Sequence, residues 1–577
     1  MGKKNRAKQS GKPGGAMLRH KKELVKMAAD LFKLCVMSPS TQDEWEYYLK
    51  VHTAVESFSQ KQKNVSDPPV VQPIDRTTAI PKFKSWLKEH GVEYSAIDIQ
   101  EVSEEEGFGV IALQDIEIKC PLVTIPRKAM MTYEDAKSSY LAGLIEGNEV
   151  LSVMPNVCLA LYLHCERFTL NSKYQPYIDM IPQEFNTILY FKPHEMKYLK
   201  GTAALSVAIN QFKSIVRQFA LLYQVFNGSH QKEDVEKLPL QARNAFTFDT
   251  YRWCASAVTT RQNKIPTHVG DVLGDLDENS TLALIPMWDM FNHAIGPLST
   301  AYNALTRGIE CLAMQDFKTG EQVKICYGAR TNSDLLIHNG FVMKESPFDK
   351  VRIHLGVSQK DPLYSLKAKL LEKLNVEVSG QFAVCSMDNS LPTSPQLLVF
   401  LRVFHMNEEE LRSWLEKQKN ELSSLREIYI SGEVKFKSDV KVWEFLENRV
   451  KLLLMGFRKI GDNIEEMMED KSLTHRSKLA LQFRIEEHRI LSACVNFCRQ
   501  IRNALENRSN GELMEDSVVM YTNKNPSQLE EEKDSTTLES EGQDGAKGLN
   551  IDINKIDINA NNSVEEISHD PDTWVYD

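Results

Sequence analysis

Within the apolar run LALIPMWDMFNHAIGP, the stretch Trp288-Asp289-Met290-Phe291-Asn292-His293-Ala294 places a carboxylate, an amide and an imidazole close together. Burying such groups unpaired costs about 1–3 kcal/mol or more each, so they require partners, supplied either by the protein or by a ligand. Three other groups of residues could do chemistry. Glu106 precedes Gly107-Phe108-Gly109, where glycines permit close backbone approach to a ligand, although a tight turn has the same composition. No third glycine and no helix follow, so this is not a dinucleotide-binding fingerprint. Arg261 and Asn263 in TTRQNKIP lie at a helix end, where such side chains cap the helix or reach into solvent. Tyr327, followed by Gly328 in KICYGAR, lies at a strand end, with its hydroxyl expected at the rim of a core. Trp288 and Ile325 fit a core as well as they fit the walls of a slot.

These residues need a scaffold, and the patterning along the chain outlines one. MLRHKKELVKMAADLFKLCV puts Leu24, Met27, Ala28, Leu31 and Leu34 at helical spacing, and TQDEWEYYLKVHTAVESF continues in that style, so a helical arm precedes a linker running from Lys61 through PPVVQPID to Asp75. FKSWLKEHGVEY from Phe83 reads as a short helix ended by Gly91. Alternating strand-like sequence begins at EEEGFGVIALQDIEIKCPLVTIP and returns at TLALIP, GIECLAM and QVKICYG. Between them, from about Thr132 to Ala255, the sequence is mostly helical. Beyond about Lys350 the pattern predicts an all-α unit, with Ser394 and Pro395 opening one helix, Asn407 and Glu410 forming a cap, and SKLALQFRIEEHRILSACVNFCRQI a long amphipathic helix.

The chain of 577 residues is too long for one core. Its net charge of −10 is concentrated in residues 506–577, where 18 acidic side chains face 5 basic ones, leaving the remainder slightly positive. That remainder gives no electrostatic reason to expect nucleic-acid binding. The acidic segment has too little apolar surface to offset ordering entropy and is expected to be disordered. Its doublet NIDINKIDINA lacks the glycine and terminal glutamate of a calcium loop. Ten cysteines without a CxxC pair or a Cys/His cluster predict reduced thiols and no metal site. No apolar run spans a membrane and the amino terminus lacks a secretory core, so the expectation is a soluble, cytoplasmic, monomeric protein, with Lys3, Lys4, Arg6 and Lys8 allowing a nuclear signal.

Taken in order, Gly-Phe-Gly, Arg-Gln-Asn, Trp-Asp-Met-Phe-Asn-His, the Tyr-Gly strand end and the Leu-Leu-x-x-x-Gly-Phe segment make the chain resemble SET-domain methyltransferases of the Rubisco lysine methyltransferase subgroup. SKYQPYIDMIP, at residues 172–182, is similar to that subgroup's insert. The resemblance implies an α+β fold: a β-rich SET domain with a pseudoknot over residues 76–350, its helical insert at about 132–255, and an α-helical substrate-binding domain over 351–505. S-adenosylmethionine is the implied cofactor, contacted by Arg76 from the linker, Glu106, Gly107, Phe108, Arg261, Asp289, Met290, Phe291, Asn292, His293, Asn339, Gly340 and Phe341. Asn339 stands where lysine-directed relatives usually carry tyrosine. On the acceptor side the resemblance implies Tyr327, Asn263 and the Asp289 carbonyl, with Trp288, Ile325 and Arg330 bordering the substrate. The arm and the TRQNKIP segment resemble the branch of the family directed at a histidine of actin, which implies actin as protein partner. A lysine methyltransferase acting on a ribosomal, chromatin or metabolic protein is the alternative, and a scaffold without turnover is a third reading.

Overall fold

The computed structural model describes residues 13–37, 43–64, 74–103, 105–228, 231–267, 280–303, 306–386, 391–417, 425, 439–457, 464–509 and 550–551. The basic amino-terminal cluster, most of the PPVVQPID linker and nearly all of the acidic tail lie outside these residues. Two compact units emerge, residues 1–185 with 213–328 and 546–577, and residues 186–212 with 329–545. The insert is therefore divided, its portion from Asn186 to Phe212 belonging to the second unit, with the boundary falling inside the helix Ala204–Asn227.

In the first unit, strands β1 (Ile97–Ser103) and β2 (Gly107–Ala112) form a tight antiparallel pair. The turn between them brings Gly107 to φ +69°, a conformation that glycine adopts without steric cost. Three further strands belong to two other small sheets: β3 (Pro121–Pro126), β4 (Met131–Thr132) and, beyond the insert, β5 (Gln262–Pro266). They are followed by β6 (Ser280–Leu284), β7 (Asn292–His293), β8 (Thr300–Asn303), β9 (Gly308–Leu312) and β10 (Gln322–Ile325). The sheets run β1-β2-β10-β7, β4-β6-β5 and, extended by β13 (Asn550–Ile551) once β11 and β12 of the second unit are counted, β13-β8-β9-β3. Within the first sheet, β7 lies parallel to β10, with Asn292 beside Lys324 and His293 beside Ile325.

The helix Arg76–Glu89 starts seven residues earlier than the apolar pattern from Phe83 suggests. Its start is set by Asp75, whose carboxylate accepts from the Thr77 amide at 3.0 Å. Arg76 is thus a first-turn helical residue rather than part of the linker, which corrects its expected setting. The amino-terminal arm comprises helices Pro13–Val36 and Glu44–Lys63. It packs on the insert: Phe58 meets Phe219 and Tyr223 edge-on, and Gln62 donates to the Phe246 carbonyl at 2.8 Å.

The second unit is mainly helical, and both expected caps form: Ser394 accepts from Leu397, and Asn407 and Glu410 exchange bonds at 2.9 Å. It is not purely helical. Strands β11 (Lys350–Gly356) and β12 (Ser379–Cys385) pair antiparallel through seven rungs, correcting the all-α expectation. KVRIHLG alternates buried and exposed side chains along β11, a period-two signal that the surrounding helical pattern obscured. The tail is corrected at two points. Helix His475–Ser509 runs past residue 505, and Asn550–Ile551 pairs with Asn303 and Tyr302 on the open edge of β8.

Candidate functional site

At the centre of WDMFNHA the chain turns sharply. Met287, fully buried, sits at φ +75° and ψ −48°, a strained conformation for a residue with a side chain, and Trp288–Met290 forms a single 3-10 turn behind it. This turn throws Asp289 inward and delivers Asn292 and His293 to the sheet. Asn292 donates to Gln322 at 2.9 Å and to the Phe108 carbonyl at 3.3 Å, tying β7 and β10 to the Gly107-Phe108 edge of β2. Its partners in the protein answer half of the question raised by a buried amide. The Nδ1 of His293 accepts from the Tyr327 backbone N–H at 3.1 Å, and the two rings stack with centroids 4.9 Å apart. The Tyr327 hydroxyl donates to the Phe291 carbonyl at 2.5 Å, which commits its proton and leaves its oxygen an acceptor. Trp288 stands 6.2 Å from the Tyr327 ring and is fixed by its indole N–H donating to Thr300 at 3.0 Å.

A charged group lies beside this apolar frame. Asp289 has a 1% exposed side chain, and its Oδ2 accepts from the Tyr177 hydroxyl at 2.6 Å and lies 3.4 Å from Arg261 Nε. Its Oδ1 finds no donor on another residue. Burial pushes the Asp289 carboxyl up to about 6, and Arg261 and the Tyr177 hydroxyl only partly offset this. Arg76 stacks on the Phe108 ring at 4.3 Å and donates to the Met180 carbonyl at 2.8 Å. Burial, reinforced by the like charge of Arg261, lowers its guanidinium to about 10. Two cations thus share one buried carboxylate, an excess of positive charge suited to a second anion.

Asn263, buried at the start of β5, donates to the Arg261 carbonyl at 3.1 Å. Glu106 directs its carboxylate to Lys324 at 2.7 Å and Gln322 at 2.6 Å. Ile325 is fully buried in β10. The first unit therefore brings together Arg76, Glu106, Gly107, Phe108, Arg261, Asn263, Trp288 through His293, Ile325 and Tyr327. Arg330, Asn339, Gly340 and Phe341 belong to the second unit. There Leu335–Asn339 forms a π-helical turn closed by Gly340 at φ +85°, where an added Cβ would stand 2.6 Å from the Asn186 carbonyl carbon.

A SET-domain family model matches residues 107–328, and a Rubisco LSMT substrate-binding model matches residues 358–491. The actin-histidine N-methyltransferase of Gallus gallus is 39% identical over 501 residues, covering 86% of this chain and 81% of the relative. The chain belongs to the actin-histidine N-methyltransferase family. Family members from Homo sapiens, at 38% over 86% of the chain and 81% of the relative, and Danio rerio, at 38% over 87% and 82%, match similarly. Among solved structures, the SET domain of LSMT bound to lysine and AdoHcy superposes with a TM-score of 0.58 at 19% identity, covering 75% of this chain and 93% of that one. Rubisco LSMT bound to AdoMet gives a TM-score of 0.56 at 19% identity, covering 77% and 98%. These neighbours establish the SET fold for this family member. The reading from sequence missed Tyr177, Met287 and Gln322. Two tyrosines flanking a proline in YQPYIDMIP were the available signal for Tyr177, whereas nothing local marks Met287 as strained.

Proposed function

We propose that this chain transfers a methyl group from S-adenosylmethionine to a ring nitrogen of a histidine in actin. The observation that carries the reading is the conjunction of a SET match and a substrate-binding-domain match in a chain 39% identical to an actin-histidine N-methyltransferase. The residues present fit the cofactor. Its amino-acid end is a zwitterion: the surplus charge of Arg76 and Arg261 suits the carboxylate, and the unpartnered Asp289 Oδ1 suits the ammonium. Where Gly107 could carry a Cβ, the nearest atom is Arg76 Nη1 at 4.0 Å, so the backbone edge is open to a ligand. When bound, S-adenosylmethionine supplies an electrophilic methyl carbon on a sulfonium.

What remains for the protein is to present an acceptor lone pair in line, about 3 Å from that carbon. An imidazole with a pKa near 6.5 is mostly neutral at pH 7, so no strong base is required, only the correct tautomer. Tyr327, its ring held by the bond to Phe291, walls the slot and orients the acceptor ring, while the Asp289 backbone carbonyl accepts from that ring's one N–H. The Asn263 amide hydrogen-bonds the planar ring, whereas a lysine chain would call for an apolar lining. Trp288 and Ile325 border the slot. The accompanying reading is a monomeric cytoplasmic enzyme without a nucleic-acid partner.

The test is single-turnover transfer to an actin-derived peptide carrying histidine and to the same peptide carrying lysine, between pH 6 and 9. The histidine peptide should be methylated with little transfer to lysine, and Asn263→Phe should shift preference toward lysine by about one to two decades. Preference of the unmodified enzyme for lysine throughout that range would establish a lysine methyltransferase instead.

A further inference from the structure

One short stretch of the insert meets Arg76, Arg261 and Asp289 together. Tyr177, in the helix Gln175–Ile178, is fully buried and bonds Asp289. Three residues on, the Met180 carbonyl receives Arg76, and Phe185 lies under the Arg261 guanidinium at 5.6 Å. Packing does not explain the Tyr177 hydroxyl, because a phenylalanine would fill the same place beside Phe83 without a polar atom to satisfy. The hydroxyl reaches the same carboxylate oxygen that Arg261 approaches at 3.4 Å.

We infer that Tyr177 is a positioning residue for the amino-acid end of the cofactor, holding Asp289 so that Arg261 remains free to fork onto the cofactor carboxylate. The inference rests on the cofactor reading above. Without the hydroxyl, Asp289 can turn and close onto Arg261 as an exclusive pair, which withdraws the guanidinium from the ligand.

Calorimetry on the full chain separates these roles, with S-adenosylhomocysteine and its decarboxylated analogue as probes. Tyr177→Phe is expected to weaken S-adenosylhomocysteine binding about tenfold and leave the analogue unchanged. In an Asp289→Asn background the Tyr177→Phe change should have no further effect. Equal loss for both ligands, or no loss for either, overturns the positioning role. Should Tyr177→Phe fail to fold, Arg261→Lys, which cannot fork onto a carboxylate, is expected to weaken S-adenosylhomocysteine alone, and unchanged binding of both ligands would be equally fatal. Failure of the unmodified chain to bind either ligand would instead refute the cofactor reading.

Discussion

Tyr327 shows how backbone and side chain share one task. Its N–H fixes His293 and its hydroxyl is fixed by Phe291, so ring and imidazole stack in one orientation. Removing the hydroxyl leaves the His293 bond intact, because that bond comes from the main chain. Tyr327→Phe is therefore expected to leave cofactor affinity within about twofold of the unmodified enzyme while lowering kcat by about tenfold or more, the cost of one orienting hydrogen bond. Rapid-quench transfer and equilibrium binding measured on the same preparation check it, and an unchanged kcat would remove Tyr327 from the acceptor side. Asn292 differs, because its amide binds Phe108 and Gln322 in the protein itself, so its loss loosens the sheet edge as well as any ligand contact.

Among the elements of the second unit, the helix Asp439–Phe457 is joined to the helix Pro395–His405 by a buried ion pair. Arg402, 0% exposed, donates to both Asp439 oxygens at 3.0 and 2.8 Å and to the Leu425 carbonyl at 2.8 Å. Leu397, Leu401, Trp443 and Leu446 are buried in the same core. Cutting one partner strands a buried charge, so Asp439→Ala should destabilise this unit by about 3–5 kcal/mol. Urea denaturation should show the loss, and replacing both residues with apolar ones of similar size should recover most of it. A single-mutant loss below about 1 kcal/mol would mean that water reaches the pair.

Across the molecule as a whole, stability depends on pH through carboxylates buried without enough compensation. Glu487 in helix His475–Ser509 is raised from 4.5 to about 8 by burial first, with Asp349 adding like charge and the Ala203 amide and Arg484 opposing. The folded chain holds this proton to a higher pH than the unfolded chain does. Stability therefore falls as pH climbs from about 4.5 to about 8, by at most about 1.4 kcal/mol per pH unit. Asp349 and Asp289 are raised too and act in the same direction, Asp289 as pH climbs from 3.8 to about 6. Glu487→Gln keeps an acceptor for Ala203 and removes the charge, so the melting temperature should rise at pH 8 and its decline between pH 6 and 8 should flatten. A pH profile unchanged by the substitution would show that Glu487 stays ionised in the folded state.

Much of this molecule was legible in one dimension. Ser394 and Asn407 announce helix starts because a cap is satisfied within three residues, and Gly107 announces a turn because only its own φ matters there. The strand β11 is marked in KVRIHLG only by a period-two alternation that the helical pattern on either side obscures. The order of Gly-Phe-Gly, Arg-Gln-Asn, Asn-His and Tyr-Gly carried the family. Sequence could not reveal that Tyr177 bonds an aspartate 112 positions away, that Arg76 reaches a carbonyl 104 positions away, or that a two-residue strand at Asn292 lies parallel to β10. Periodicity and capping report contacts between residues a few positions apart. Which distant groups meet depends on how whole elements pack, and only that packing withdraws water from Asp289 and so makes its partners matter.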